Sequence, residues 1–111
     1  MSMKLLDAVD IDGTVKAIST NHTFYTVPSG KQTVVSVIEV CNRTTSAIRV
    51  RLAHVQSGQT LANKNYILYD YSVPARGFVE VTARAMATGD FLVAYSPATG
   101  VNFIAWGDEI E

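Results

Sequence analysis

The chain has 111 residues and a mass of 12.0 kDa, enough for one domain with a real core and too short for two. Nine basic residues against ten acidic ones give a formal net charge of -1, so nothing electrostatic draws the chain to nucleic acid or to an anionic membrane surface. With 48% hydrophobic and 17% charged residues it can bury enough apolar surface to fold, which excludes disorder throughout.

Val, Ile and Thr together make up 32 of the 111 residues, and these side chains lose rotamer freedom in helices while packing well on a pleated surface. Cys41 is alone, so neither an internal disulfide nor a cysteine-based zinc site can form, and the core must carry stability. The first six residues lack the apolar stretch of a signal peptide, and no run of eighteen apolar residues exists, which predicts assembly inside a cell.

In chain order, residues 1–20 alternate only weakly and predict an N-terminal arm or edge strands. Within them Asp12-Gly13 predicts a turn closing a hairpin between residues 5–9 and 15–18. Residues 21–111 then form the main domain. A strand over 23–27 leads into Pro28-Ser29-Gly30-Lys31, whose proline in second place and glycine in fourth suit a type I turn. Residues 33–41 are almost continuously apolar, with Val35 and Val37 on one face, Val34, Ile38 and Val40 on the other, and Glu39 as the one charge. Ile48, Val50 and Leu52 alternate with Arg49 and Arg51, the pattern of a strand with one wet face. A polar loop over 56–65 precedes a tyrosine-rich strand over 66–71. Residues 78–84, 90–95 and 101–107 supply three more strands, the last two joined by a hairpin-like turn at 97–100. About eight strands emerge, which predicts an all-β, two-layer antiparallel sandwich of jelly-roll or immunoglobulin-like type.

Val9-Asp10-Ile11-Asp12-Gly13-Thr14 resembles the first motif of haloacid-dehalogenase-type phosphatases, where one Asp attacks phosphorus, the next moves protons, and magnesium sits between them. The further Ser or Thr, Lys and acidic pair of that machinery have no counterpart on a short β-rich chain, so a plain Asp-Gly turn is preferred. Calcium is disfavoured by the missing third ligand and closing Glu. Gly30-Lys31 lacks the preceding glycine of a phosphate loop, and Gln32 stands where a magnesium-binding hydroxyl would be needed. His22 and His54 have no ligand-rich neighbours in sequence, and Cys41 has no paired base and reads as a buried small hydrophobe. No catalytic, cofactor-binding or metal-ligating residue is therefore expected. Tyr69 and Tyr71 share a face if the strand is extended, with Tyr66 opposite, and such tyrosines beside Asp70 suit a sugar ring or a protein interface.

Taken together, Phe24-Tyr25-Thr26-Val27-Pro28-Ser29-Gly30-Lys31, Val34-Val35-Ser36-Val37-Ile38-Glu39-Val40-Cys41-Asn42-Arg43, Tyr66-Ile67-Leu68-Tyr69-Asp70, Val73-Pro74-Ala75 and the Gly89-Asp90 step resemble small all-β structural proteins of tailed bacteriophages. The likeness covers residues 23–107 and rests on turns and core faces rather than on chemistry. It implies a non-enzymatic virion component assembled in the host cytoplasm: a capsid decoration protein that stabilises the shell, or a tail, collar or fibre component with a carbohydrate-binding role. The partners it implies are further copies, as a homotrimer or other symmetric oligomer, and the major capsid or tail proteins. Nucleic acid, membrane and cofactors are not implied. The residues expected at interfaces are Leu5, Leu6, Val9 and Ile11 of the N-terminal segment, Arg49 and Arg51, Tyr69 and Tyr71, with the 56–65 loop beside them.

Overall fold

The computed structural model describes residues 3–111. Its strands are β1 Lys4–Ile11, β2 His22–Thr26, β3 Gln32–Asn42, β4 Ile48–Val55, β5 Tyr66–Val73, β6 Phe78–Met86, β7 Phe91–Tyr95 and β8 Val101–Ile110, with a 3-10 turn at Asn63–Asn65. They make two four-stranded antiparallel sheets, β1-β8-β3-β6 and β2-β7-β4-β5. Pairing is nested: β1 with β8, β2 with β7, β3 with β6 and β4 with β5, as if one long hairpin had been rolled up on itself. That wrapping is a jelly roll. In an immunoglobulin-like sandwich the first two strands share a sheet, whereas here β1 and β2 lie in different sheets.

Alternation along the strands builds the core between the sheets. Val9, Ile11, Ile38, Val40, Val50, Leu52, Leu92 and Phe103 are among the side chains that meet there. Phe103 is fully buried with its ring centroid 6.1 Å from that of Phe24 across the two layers. Burying one side chain of this kind stabilises by about 1.5–3 kcal/mol.

Strict alternation fails in β3. Val35, Ile38 and Val40 all face the core while Val34 is exposed, because β3 carries an extra residue opposite β8 between Val35 and Val37. The irregularity runs across the sheet: β1 shifts register between Leu5 and Asp7, and Ala83 of β6, level with Ser36, adopts a φ of 50°. Gly107 lies on this line, where a Cβ would stand 2.3 Å from the Val34 carbonyl oxygen and 3.0 Å from Leu6 Cδ1.

Three turns differ from expectation. Residues 15–18 form no strand; after Asp12 the chain crosses to the second sheet, and the Asp12 carboxylate accepts from the amides of Thr14 at 2.8 Å and Lys16 at 3.0 Å. The 97–100 turn likewise joins different sheets, β7 to β8, so it is an arch and not a hairpin. In the 28–31 turn Lys31 N–H donates to Pro28 O at 3.2 Å, which places Gly30 third with a φ of 76°, the left-handed conformation a type II turn needs there.

Candidate functional site

Both outer faces of the sandwich carry side chains that the fold leaves uncovered. On the first sheet the registers place Leu5, Trp106, Val37 and Thr82 in one row, Ala8, Ile104, Glu39 and Glu80 in the next, and Asp10, Asn102, Cys41 and Phe78 in a third. Leu5 is 48%, Trp106 39% and Phe78 60% exposed, large apolar groups on one surface of a small domain. Glu39 and Glu80 are direct cross-strand partners, an arrangement that destabilises an isolated sheet by a few tenths to about 1 kcal/mol. Neither takes part in an ion pair among the described residues.

The second sheet differs in chemistry. Arg51 of β4 lies between two aromatic rings, 4.3 Å from the Tyr69 centroid and 4.7 Å from that of Tyr95, and its Nε donates to Asp70 Oδ1 at 2.7 Å. The hydrogen bond to Asp70 stabilises the guanidinium charge further, and the same bond, aided by the field of Arg49, holds the Asp70 carboxyl below the usual carboxylate range. Arg49 is exposed and forms no ion pair of its own among the described residues.

Beside them, Ala53, Val55 and Val93 make a small outer cluster packed by Leu61, Tyr66 and Phe91, so the 56–65 loop folds back over this face. Tyr66 and Tyr69 meet edge to face at 4.8 Å and, with Asn63, line a depression of about 260 Å³. The expectation that Tyr66 lies opposite Tyr69 is thus corrected: β5 changes register twice against β4, and Asp70 has a φ of 51°.

The other expected interface residues divide. Leu5 is on the open face, and Tyr71 is 47% exposed on edge strand β5. Leu6 is partly buried and packs on the core. For Val9 and Ile11 the expectation of an inter-subunit contact is corrected: β1 is an edge strand of the first sheet, and its alternation turns both side chains into the chain's own core at 7% and 0% exposure. Cys41 is half-buried on the outer face of the first sheet instead of lying in the core.

The ionisable groups nearest the core brace turns. His54 Nε2 lies 2.9 Å from Asp90 Oδ2, and Arg84 Nε donates to His54 Nδ1 at 3.3 Å. A neutral imidazole in this arrangement carries its proton on Nε2, aimed at Asp90, so both ring nitrogens are engaged. Asp90 also accepts from the amides of Ser57 at 3.0 Å and Ala87 at 3.1 Å. Burial works to raise the Asp90 carboxyl, but the His54 bond and the two amides outweigh it and hold the group below its usual range. At the same end of the sandwich, Tyr25 Oη lies 2.7 Å from both Thr33 Oγ1 and Glu109 Oε2, and Lys4 pairs with Glu109. Burial pushes the Tyr25 phenol up to about 12, Thr33 opposes the shift, and Glu109 adds to it. The bonds from Lys4 and Tyr25 hold the Glu109 carboxyl low against the opposing effect of burial.

At the opposite end Asn42 is fully buried. Its Nδ2 donates to the carbonyls of Ser46 at 2.8 Å, Val73 at 3.0 Å and Pro74 at 3.1 Å, while its Oδ1 accepts from Thr44 N at 2.9 Å and Thr44 Oγ1 at 2.7 Å. One amide thereby ties the β3–β4 turn to the β5–β6 turn.

Asp10 and Asp12 do not converge on a common site. Asp10 points outward from β1 and pairs with Arg43, whereas Asp12 is committed to the amides of its own loop, with Thr14 first and Lys16 next in holding its carboxyl low. Among the described residues no three His, Cys, Asp or Glu side chains gather as a metal site would require. Compared with protein-family models, curated proteins and solved structures, the chain matches none.

Proposed function

We propose that the chain is a structural component of a tailed-phage virion, a capsid decoration protein that binds and stabilises the assembled shell. The observation that carries this reading is the row of Leu5, Trp106 and Val37 on the open face of the first sheet, since exposed apolar area of this kind is stabilised by contact with another protein surface. The jelly roll supports it by analogy, being a wrapping used by viral capsid and lectin domains among others. The turn and strand motifs that resemble phage structural proteins support it further. A place in the tail, collar or fibre is the nearest alternative.

The test is electron cryo-microscopy of assembled particles labelled with an antibody to this chain. Label at regular positions on the head is the expected result. Label on the tail moves the chain to the alternative, and unlabelled particles overturn the virion reading.

The depression lined by Asn63, Tyr66 and Tyr69 favours a second reading, sugar binding, because a carbohydrate stacks its C–H face on an aromatic ring and hydrogen-bonds a nearby amide. Binding on a broad glycan array that is lost in Tyr69→Ala supports it, and no binding to any glycan refutes it.

A further inference from the structure

The two outer faces differ in charge in a complementary way. On the first sheet Glu39 and Glu80 face each other across β3 and β6 without a cation, among Ile104, Val37 and Phe78, while Asp10 in the neighbouring row is already matched by Arg43. On the second sheet Arg49 and Arg51 rise from one side of β4, Arg51 paired with Asp70 between the rings of Tyr69 and Tyr95, and Arg49 in no ion pair among the described residues. Joining two first sheets would bring four carboxylates together, and joining two second sheets would bring together four guanidinium groups against two carboxylates. First sheet against second sheet sets the unpaired Glu39 and Glu80 against the unpaired Arg49, Arg51 being already matched by Asp70, and covers Trp106 and Phe78 with aromatic and arginine surface. Four strands about 4.8 Å apart and roughly 30 Å long give the first sheet a face on the order of 600 Å². The second sheet, whose β2 and β7 have only five residues each, offers about 400 Å², so the contact supplies about half of the ~800 Å² that each partner contributes to a standard interface.

We propose that copies of this chain associate head to tail, with the Glu39, Glu80 and Trp106 face of one copy seated on the Arg49 and Tyr69 face of the next. The inference deepens the reading of the chain as an assembly protein and rests on it: the surface that covers the Trp106 row is then a further copy, and contact with the shell falls to the ends of a stack or to the rims of a ring. A contact between two different patches propagates, into a ring where the rotation closes and into a stack where it does not.

The test is sedimentation velocity of the full chain over a concentration series, with circular dichroism confirming that each variant folds. Glu80→Arg and Arg49→Glu each place like charges across the contact, so each alone should weaken association by about tenfold or more. An equimolar mixture of the two variants should associate again to within about threefold of the original protein, because every contact in an alternating assembly then joins opposite charges. Should Glu80→Arg fail to fold, Glu39→Arg takes its place. A protein that stays monomeric at the highest concentration, a Glu80→Arg variant that associates more tightly, or a mixture that fails to recover overturns the proposal. Particle labelling is read independently, so a monomer found on virions refutes the head-to-tail contact alone, and a ring absent from virions refutes the virion reading alone.

Discussion

Removing the fully buried Asn42 side chain should measurably destabilise the protein. Asn42→Ala removes the donor of the buried Val73 carbonyl, while Pro74 O keeps its bond from Gly77 N–H at 3.0 Å, and a buried group left unpaired costs about 1–3 kcal/mol. Thr44 and Ser46 lie in a solvent-facing turn where water replaces the lost bonds, so the expected loss is about 1–3 kcal/mol in total. Asn42→Asp is the sharper probe. It keeps the acceptor for Thr44 but sets a second carboxylate oxygen against three carbonyls at a position with no solvent exposure, and an uncompensated buried charge costs about 3–5 kcal/mol. That arrangement raises the carboxyl's folded value above its unfolded one, so the folded state holds more protons between the two. Relative to the original protein, the Asp variant is therefore least penalised at pH 4 and most penalised above the raised value. Urea unfolding followed by circular dichroism and by the single tryptophan, Trp106, measures both effects. A loss below about 1 kcal/mol for Asn42→Ala, or an Asp penalty that is flat with pH, would refute this account of the amide.

Phe103→Ala should destabilise by about 3–5 kcal/mol and Phe103→Leu by much less, measured by the same unfolding curves, because the ring fills the space beside Phe24. Gly107→Ala, a change that ordinarily matters little, should cost at least about 1–3 kcal/mol, since the added Cβ would lie 2.3 Å from Val34 O; a thermal midpoint equal to the original would contradict the close approach of β3 and β8. For Glu109 and Asp90 the folded values are depressed, so their stabilisation is present above the unfolded carboxylate range and lost as pH falls through the folded values. Glu109→Gln should shrink that acid loss. In alkali the raised Tyr25 phenol works in the other direction: its contribution is present below pH 10 and lost toward pH 12, and absorbance titration should show one of the five tyrosines ionising last and Tyr25→Phe abolishing that late step.

The layers were legible in the chain because burial on one side of a strand enforces period two, as Ile48, Val50 and Leu52 against Arg49 and Arg51 display. What was not legible is where the period slips. The extra residue in β3 after Val35 reassigns Val37 to the outer face, and the left-handed Asp70 brings Tyr69 to Tyr66; neither position carries a glycine or proline to announce the change. Strand order was hidden for a related reason. Pro97 to Gly100 suits a hairpin as well as an arch, and only the packing of β8 between β1 and β3 decides between them. The polar braces escaped because their members are far apart in sequence: His54, Arg84 and Asp90 come from three segments, and no local spacing marks them as neighbours. Asn42 was visible as the end of an apolar run, but the carbonyls it serves lie some thirty residues away.

Within its sheet β1 has β8 as its one neighbour, so a strand made early must wait for one made much later. Until Phe103 and Val101 are in place, Val9 and Ile11 have no ladder to join, and one side of the core stands uncovered. Most of the other pairings are distant in sequence as well, an arrangement that slows folding for a domain of this size.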